Sequence, residues 1–270
     1  MKTIVPLTRL DHVIIAVRSL DAAATTFRKL GFTLTPRGLH EGKGTGNHCI
    51  MFGNTYIELL GIVDETGTKG RLGQRVNERG EGGMGIAYGA DDADTTYAAL
   101  RAAGVEAEAP NDLSRPLDLD GKRDIVRFRN IMLPGLRLTD TMQFVCTHLT
   151  PELTRARREW QLHPGGATAV AEVIIAASDV AAESAQLAPA SLSNSKITIL
   201  TRPDAEKRFG SKALAGAPAN GIMALRIRVN EPDATGAMLD MGRVPHEETR
   251  DGLIVPASAA HGIVLEFAED

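Results

Sequence analysis

Two cysteines, Cys49 and Cys146, stand among 270 residues, too few for a disulfide framework, so the chain is expected to work in a reducing compartment, the cytoplasm. Aromatic side chains make up 4% of the chain and basic residues do not outnumber acidic ones, 30 against 34 for a net charge of −4. A nucleic-acid partner, which needs surplus cations and stacking surfaces, is excluded on both counts. Long apolar runs are also missing. No apolar run is longer than Val173 to Ala177, far below the roughly 20 residues of a membrane span. The opening segment lacks the apolar core and small-residue cleavage site of a signal peptide. Ordinary proportions of apolar and charged residues, 43% and 24%, leave a globular protein.

What is present is a repeat. Leu10 to Val17 (LDHVIIAV) reads as a buried strand and Asp21 to Leu30 as a short amphipathic helix, which Ser19 or Asp21 can cap and Gly31 ends. Phe32 to Thr35 is expected to be extended. Cys49 to Phe52 and Tyr56 to Ile62 flank Gly53-Asn54, a hairpin signal. The order strand, helix, three strands returns from Met84, with a helix over Asp91 to Ala103 and strands at Arg127 to Met132 and Thr141 to Thr147. It opens again at Val170 to Ala177 (VAEVIIAA), whose register matches LDHVIIAV, and closes early at Lys196 to Leu200. A fourth copy runs from Ile222 through a helix at Pro232 to Met241 to strands at Leu253 to Val255 and Ile263 to Phe267. One such unit cannot bury its own sheet, so the copies should pair. The expected fold class is α+β, with four βαβββ modules in two cup-shaped sheets. The domains are 1–153 and 168–270, joined by a connector at 154–167 around the polar, Pro/Gly-ended RARREWQLHPGG.

LDHVIIAVRSLDAAATTFRKLGF, GTGNHCIMFGNTYIELLGI and GEGGMGIAYGADDADTTYAALRAAGV resemble the vicinal oxygen chelate superfamily, which includes glyoxalase-like proteins, extradiol dioxygenases and fosfomycin-resistance proteins. QFVCTHLTPEL and WQLHPGGA are similar to a branch of uncharacterised glyoxalase-like proteins. The resemblance implies curled sheets enclosing a cup, and commonly a divalent metal held there by residues of paired modules.

His12 and Glu58 each interrupt an apolar strand. An unpartnered carboxylate there would cost several kcal/mol. Two readings satisfy them: an internal His–Glu pair, or ligation of one Zn, Mn, Ni or Fe(II) ion, which the resemblance favours. Aligning the second module places Met84 at the position of His12 and Gln143 at that of Glu58. A thioether is a poor ligand for a hard ion but packs well against substrate. A glutamine carbonyl can serve as a neutral ligand. His148, at a strand end beside Thr150-Pro151, can complete the shell or act as the general base. Glu172 and Glu266 take the corresponding places in the second half and also need partners. The Gly-rich loop Gly38 to His48 is expected to rim the cup, with His40, Asn47 and His48 touching substrate. Arg123, Arg127 and Arg129 are candidates for an acidic substrate group, although an alternating pair on one strand also suits a solvated face. His163-Pro164-Gly165-Gly166 reads as a turn, and the two cysteines as inert core thiols.

The expected function is metal-assisted chemistry on a small molecule with vicinal oxygens, of isomerase, lyase or dioxygenase type. The other reading is a metal-free protein of the same fold that binds or sequesters a small ligand. A homodimer is compatible with either.

Overall fold

The computed structural model describes residues 7–40, 42–119, 121–154 and 157–269. β1 (Leu10–Val17) is buried along its whole length. It runs parallel to β4 (Thr55–Ile62) and antiparallel to β5 (Gly82–Gly89). A strand covered on both faces has no polar side, so its sequence reads as one apolar run. β2 (Gly38–Leu39) and β3 (Thr45–Phe52) extend the sheet on one side. β8 (Met142–His148), β7 (Lys122–Met132) and β6 (Asn111–Leu119) extend it on the other, in the order β2-β3-β4-β1-β5-β8-β7-β6. The sheet curls until its two edge strands, β2 and β6, lie side by side. A second sheet has the order β10-β9-β11-β14-β13-β12. Its strands are β9 (Ala167–Ala176), β10 (Lys196–Leu200), β11 (Gly221–Val229), β12 (Glu247–Thr249), β13 (Gly252–Val255) and β14 (Val264–Ala268).

α1 (Leu20–Lys29) starts where the Ser19 hydroxyl accepts the Ala22 N–H at 3.3 Å. Leu20, Ala23, Ala24 and Phe27 form its buried stripe. Its other helical counterparts in the modules are α3 (Ala93–Ala102), α5 (Val180–Gln186) and α7 (Pro232–Met241). Between sheets the side chains interdigitate in one core: Val13, Ile15 and Val17 of β1 belong to the same cluster as Val170, Val173 and Ile175 of β9 and Ile222, Leu225 and Ile227 of β11. Full burial of each such side chain contributes about 1.5–3 kcal/mol. Gly83 is a glycine because a Cβ there would overlap the Ile222 side chain. The sheets therefore pack back to back, leaving two concave faces pointing apart. Among the described residues no helix is long and apolar enough to cross a membrane.

The internal repeat extends to the irregularities. Leu10 pairs with Tyr88 and His12 with Ala87, so Asp11 is an extra residue in β1. Val170 pairs with Ile227 and Glu172 with Arg226, so Ala171 is extra in β9. Met84 and Met223 are the matching extra residues on β5 and β11. Glu172 thus occupies the place of His12, as the register of VAEVIIAA against LDHVIIAV implies.

Several local expectations differ from the structure. Phe32 to Thr35 is irregular, and the paired strand is β2. α2 (Gly70–Arg79) has no counterpart among the expected elements, because its sequence GRLGQRVNER has two glycines and buries only Leu72, Gly73 and Val76. β6 contains Pro116, which a sheet edge tolerates because one side of the strand is unpaired. The connector is more than a polar linker. α4 (Pro151–Thr154) is followed by a 3₁₀ turn at Arg158–Gln161 that buries Trp160. His163 is no plain turn residue: its Nδ1 accepts the Thr33 N–H at 3.0 Å and its Nε2 donates to the Met51 carbonyl at 2.9 Å. Arg155 and Ala156 of the expected connector lie outside the described residues.

The shortened third module has a structural replacement. After β10 the chain forms α6 (Arg202–Phe209) instead of two further strands. Ala205 and Phe209 of α6, with Ala213 and Leu214 beyond it, pack on Ile174, Ala176, Met223, Ala224 and Val264. The concave face of the second sheet is thereby filled. Arg208 Nη2 reaches Glu172 Oε2 at 2.7 Å and Glu266 Oε2 at 2.6 Å, and Arg226 Nη1 lies 3.3 Å from the latter. Thr198 also donates to Glu172. The two glutamates that interrupt apolar strands are therefore partnered by arginine, within their own half.

Candidate functional site

The open cup is that of the first sheet, a cavity of about 670 Å³. Its floor follows from the β1 bulge. In a regular strand, neighbours point to opposite faces, but an extra residue breaks the alternation. Asp11 Oδ2 accordingly lies 2.7 Å from Nδ1 of its neighbour His12. His148, at the end of β8, brings Nε2 to 3.1 Å from both Asp11 oxygens. Burial alone would raise the Asp11 carboxyl. Hydrogen bonds and charge from His12 and His148 reverse this and hold it far below the usual carboxylate range. Asp11 is then an anion, and both imidazoles present an N–H to it.

That fixes the other nitrogens. His12 Nε2 faces Glu58 Oε2 at 3.6 Å, while Asn47 Nδ2 donates to Glu58 Oε1 at 2.6 Å. The imidazole is clamped by Tyr56, stacked at 4.3 Å between ring centroids, and by the edge of Phe144 at 5.4 Å. His148 packs against Phe128 and Tyr56, and its Nδ1 is buried without a hydrogen-bond partner among the described residues. Asp11, His12 and Cys146 also bring one potential ligand atom each within 4.8 Å of one another. Burial, with Asp11 and Glu58 nearby, pushes the Cys146 thiol well up, so it faces the carboxylates as a neutral group. Burial likewise pushes Cys49 up to about 12.

A divalent ion fits part of this donor set. His12 Nε2 and a carboxylate oxygen face each other at a separation that two ligands of one ion can adopt. The remaining nitrogen of His12 rests on a carboxylate, the support that ligating histidines usually have. Without a proton or a cation between them, the Nε2 lone pair and the Glu58 oxygen repel.

The walls are apolar. Met51, Met84, Met132 and Met142 line them with Leu60, Phe128 and Phe144, and Trp160 closes one side against Cys49, Met51 and Tyr56. His40 lines the mouth, its Nδ1 2.9 Å from Thr45 Oγ1. Burial, aided by Lys43 and Arg115, lowers its pKa and keeps it neutral near pH 7.

Of the residues singled out from sequence, His12, Glu58, His148, His40, Asn47 and Met84 line this cavity. Two do not. Gln143 points to the opposite face of β8, where it accepts the Tyr88 hydroxyl at 2.6 Å and donates to the Leu136 carbonyl at 2.9 Å. The alignment of YIELLG with TMQFVC is off by one residue for this purpose, and Phe144 takes the cup-facing place. His48 also points away from the cup, with Nδ1 2.8 Å from the Thr35 carbonyl. Neither side chain lines the cup in this structure. Arg127 is exposed, and Arg129 pairs with Asp94 and Asp112. Sequence reasoning missed Asp11, Tyr56, Cys146, Trp160 and Arg115. Asp11 carried a signal, an acid beside a histidine inside an apolar strand, which strict alternation hid. Arg115 lies on β6, a strand whose proline and polar residues concealed it.

A family model described as a glyoxalase-like domain matches residues 10–191. Among solved structures, the chain is similar to a hypothetical protein from Staphylococcus aureus. The identity is 15%, covering 97% of this chain and 99% of that one, with a TM-score of 0.68. It is also similar over about half its length to methylmalonyl-CoA epimerases. For the Streptomyces coelicolor enzyme the identity is 24%, with 53% of this chain and 98% of that one covered and a TM-score of 0.39. For the Mycobacterium tuberculosis enzyme the values are 21%, 54%, 92% and 0.40. No curated protein matches the chain. With the repeated modules, the curled sheet and the cup described above, the chain belongs to the glyoxalase-like domain family of the vicinal oxygen chelate superfamily.

Proposed function

We propose that the first cup is the active site of a metal-assisted enzyme that moves a proton on a small molecule with neighbouring oxygens. The observation that carries this reading is the pairing of His12 Nε2 with Glu58 Oε2 at 3.6 Å while His12 Nδ1 rests on Asp11. His12 and Glu58 would hold the ion, with Asp11 and Asn47 fixing their orientation. When bound, a divalent ion supplies Lewis-acid stabilisation of developing negative charge on substrate oxygens. The chain's own groups do the rest. His148 Nδ1, free of any partner among the described residues, accepts the proton, and Asp11 stabilises the imidazolium that results. Tyr56 and Phe144 keep the His12 ring from rotating, and Trp160 excludes water from one wall. In this reading residues 1–153 carry the site, 154–167 connect, and 168–270 form a filled half that buttresses the first sheet.

A second reading, metal-free binding of a small ligand, has one observation in its favour. The side of the cup formed by β5 and β8 presents Met84, Ala87 and Phe144, none of which is a ligand for a hard ion. Elemental analysis of protein purified without added metal separates the two readings. The enzyme reading requires close to one divalent ion per chain, lost in Glu58→Gln. A wild-type protein free of metal that takes up none on incubation supports the binding protein.

A further inference from the structure

The lining of the cup is charged against the balance of the chain. The whole protein carries −4, yet among the described residues the cavity lining includes Lys43, Lys69, Arg71 and Arg115 with Glu58 as its one Asp or Glu, and Asp11 lies beneath it, occupied by His12 and His148. Lys69 is neutralised by Glu65. Arg115 is different. It is half-buried on β6 and, among the described residues, its guanidinium has no acidic partner and no hydrogen bond. Half-buried at the edge of a cup with largely apolar walls, a guanidinium that makes no direct ion pair among the described residues has its N–H donors open to an incoming anion.

Gly38 shows where the guanidinium lies. A Cβ at this residue would overlap Asn47 Oδ1 and sit 3.0 Å from Arg115 Nη1. β2 thus gives up a side chain so that Arg115 can cross the seam between the sheet's two edges and approach the Asn47–Glu58 pair. His40 lies close enough to Glu58, Lys43 and Arg115 for the charge of each to act on its ring. On the same cavity surface, four methionines offer soft walls that adapt to an irregular apolar shape.

We infer that Arg115, flanked by Lys43 and His40, is the binding site for the oxyanion head, carboxylate or phosphate, of a substrate whose body is apolar and fills the methionine-lined cup. This deepens the enzyme reading by naming its substrate class. It does not depend on metal, since Arg115 is not among the candidate ligands. A guanidinium offers paired, parallel N–H donors that match either head group.

Trp160, the one tryptophan, lines the cavity, so its emission reports occupancy. The test titrates the protein as isolated, with and without a chelator, using octanoate, octyl phosphate and 1-octanol. At least one of the two anions should shift Trp160 emission saturably and bind at least about tenfold more tightly than the alcohol. The tighter anion names the head group. Arg115→Met should weaken that anion by about 10–100-fold and leave the alcohol unchanged. Arg115→Lys, which keeps the charge and loses the fork, should fall between. Equal binding of anion and alcohol, or an anion affinity unaffected by Arg115→Met, overturns the proposal. Because Arg115 borders an edge strand, Lys43→Met serves as a second variant, with a smaller loss for the anions alone. Loss of anion binding only when chelator is present would assign the anion to the metal instead and overturn the role of Arg115. Arg115-dependent binding in protein that takes up no metal would retain this inference while the enzyme reading fails.

Discussion

Asp11 and His148 are 137 positions apart, and the histidine places Nε2 at 3.1 Å from each oxygen of the carboxylate. This junction ties the first strand of one module to the last strand of the next. With the 2.7 Å bond from His12 it makes Asp11 the shared acceptor of two imidazoles. An arrangement of this kind sets which nitrogen of each ring is left to address the cup.

Asp11→Asn should therefore disturb the site more than the fold. The amide keeps the volume but presents an N–H to at least one ring that needs an acceptor. We expect a loss of about 1–3 kcal/mol in stability, from a buried donor left without a partner. Metal affinity should drop by about 10–100-fold, the usual effect of removing the support behind a ligating histidine. Thermal denaturation and metal titration of the variant check both numbers. An unchanged metal affinity would show that Asp11 does not orient His12.

The filled cup of the second half allows a pH test. Arg208→Met leaves Glu172 and Glu266, both nearly buried, without their main counter-charge. At pH 7 the cost should be about 3–5 kcal/mol, toward the lower end because Arg208 is about a quarter exposed. Burial raises the Glu172 carboxyl, and Arg208 and Thr198 more than offset this, leaving it below the ordinary value. Its contribution in the wild type is therefore complete above about pH 4.3, the unperturbed glutamate value, and is lost as pH falls through the lowered one. In the variant, acid relieves the unpaired carboxylates instead. The stability gap in urea denaturation should narrow between pH 7 and pH 4. A gap that is constant with pH would contradict the assignment.

Burial pushes both thiols up, Cys49 to about 12. Native protein at pH 8 should react with a chromogenic disulfide reagent far more slowly than denatured protein, which should release two thiols per chain. Rapid titration of Cys146 in the native state, with Cys49→Ser used to isolate it, would mean that Cys146 is a thiolate and belongs to the chemistry of the cup.

Much of the architecture was legible because burial writes directly into sequence. LDHVIIAV and VAEVIIAA are apolar along their length since both of their faces are covered, and their common register gave Glu172 the place of His12. His12 and Glu58 stood out because polar residues inside such strands need a reason. His48 was read as part of a glycine-rich rim loop but lies within β3, on the face away from the cup, and Gln143 was placed by aligning two short strands. A one-residue difference in register moves a side chain to the other face of a sheet, and alignment of short apolar segments does not fix register to that precision. Asp11 was concealed by a bulge, which only the pairing of β1 with β5 reveals. Arg115 and α6 were concealed by polar sequence. What places them is a long-range neighbour, Gly38 across the sheet seam for Arg115 and the Glu172–Glu266 pair beneath the helix for α6.

The most direct measurement is calorimetric titration of the wild type and His12→Ala with Zn, Mn, Ni and Fe(II), with circular dichroism confirming that the variant is folded. The wild type should take one ion per chain of at least one of these metals, and the variant should bind it at least about tenfold more weakly or undetectably. No binding of any of the four to the wild type, or equal binding by both proteins, would contradict a metal held by His12 and Glu58.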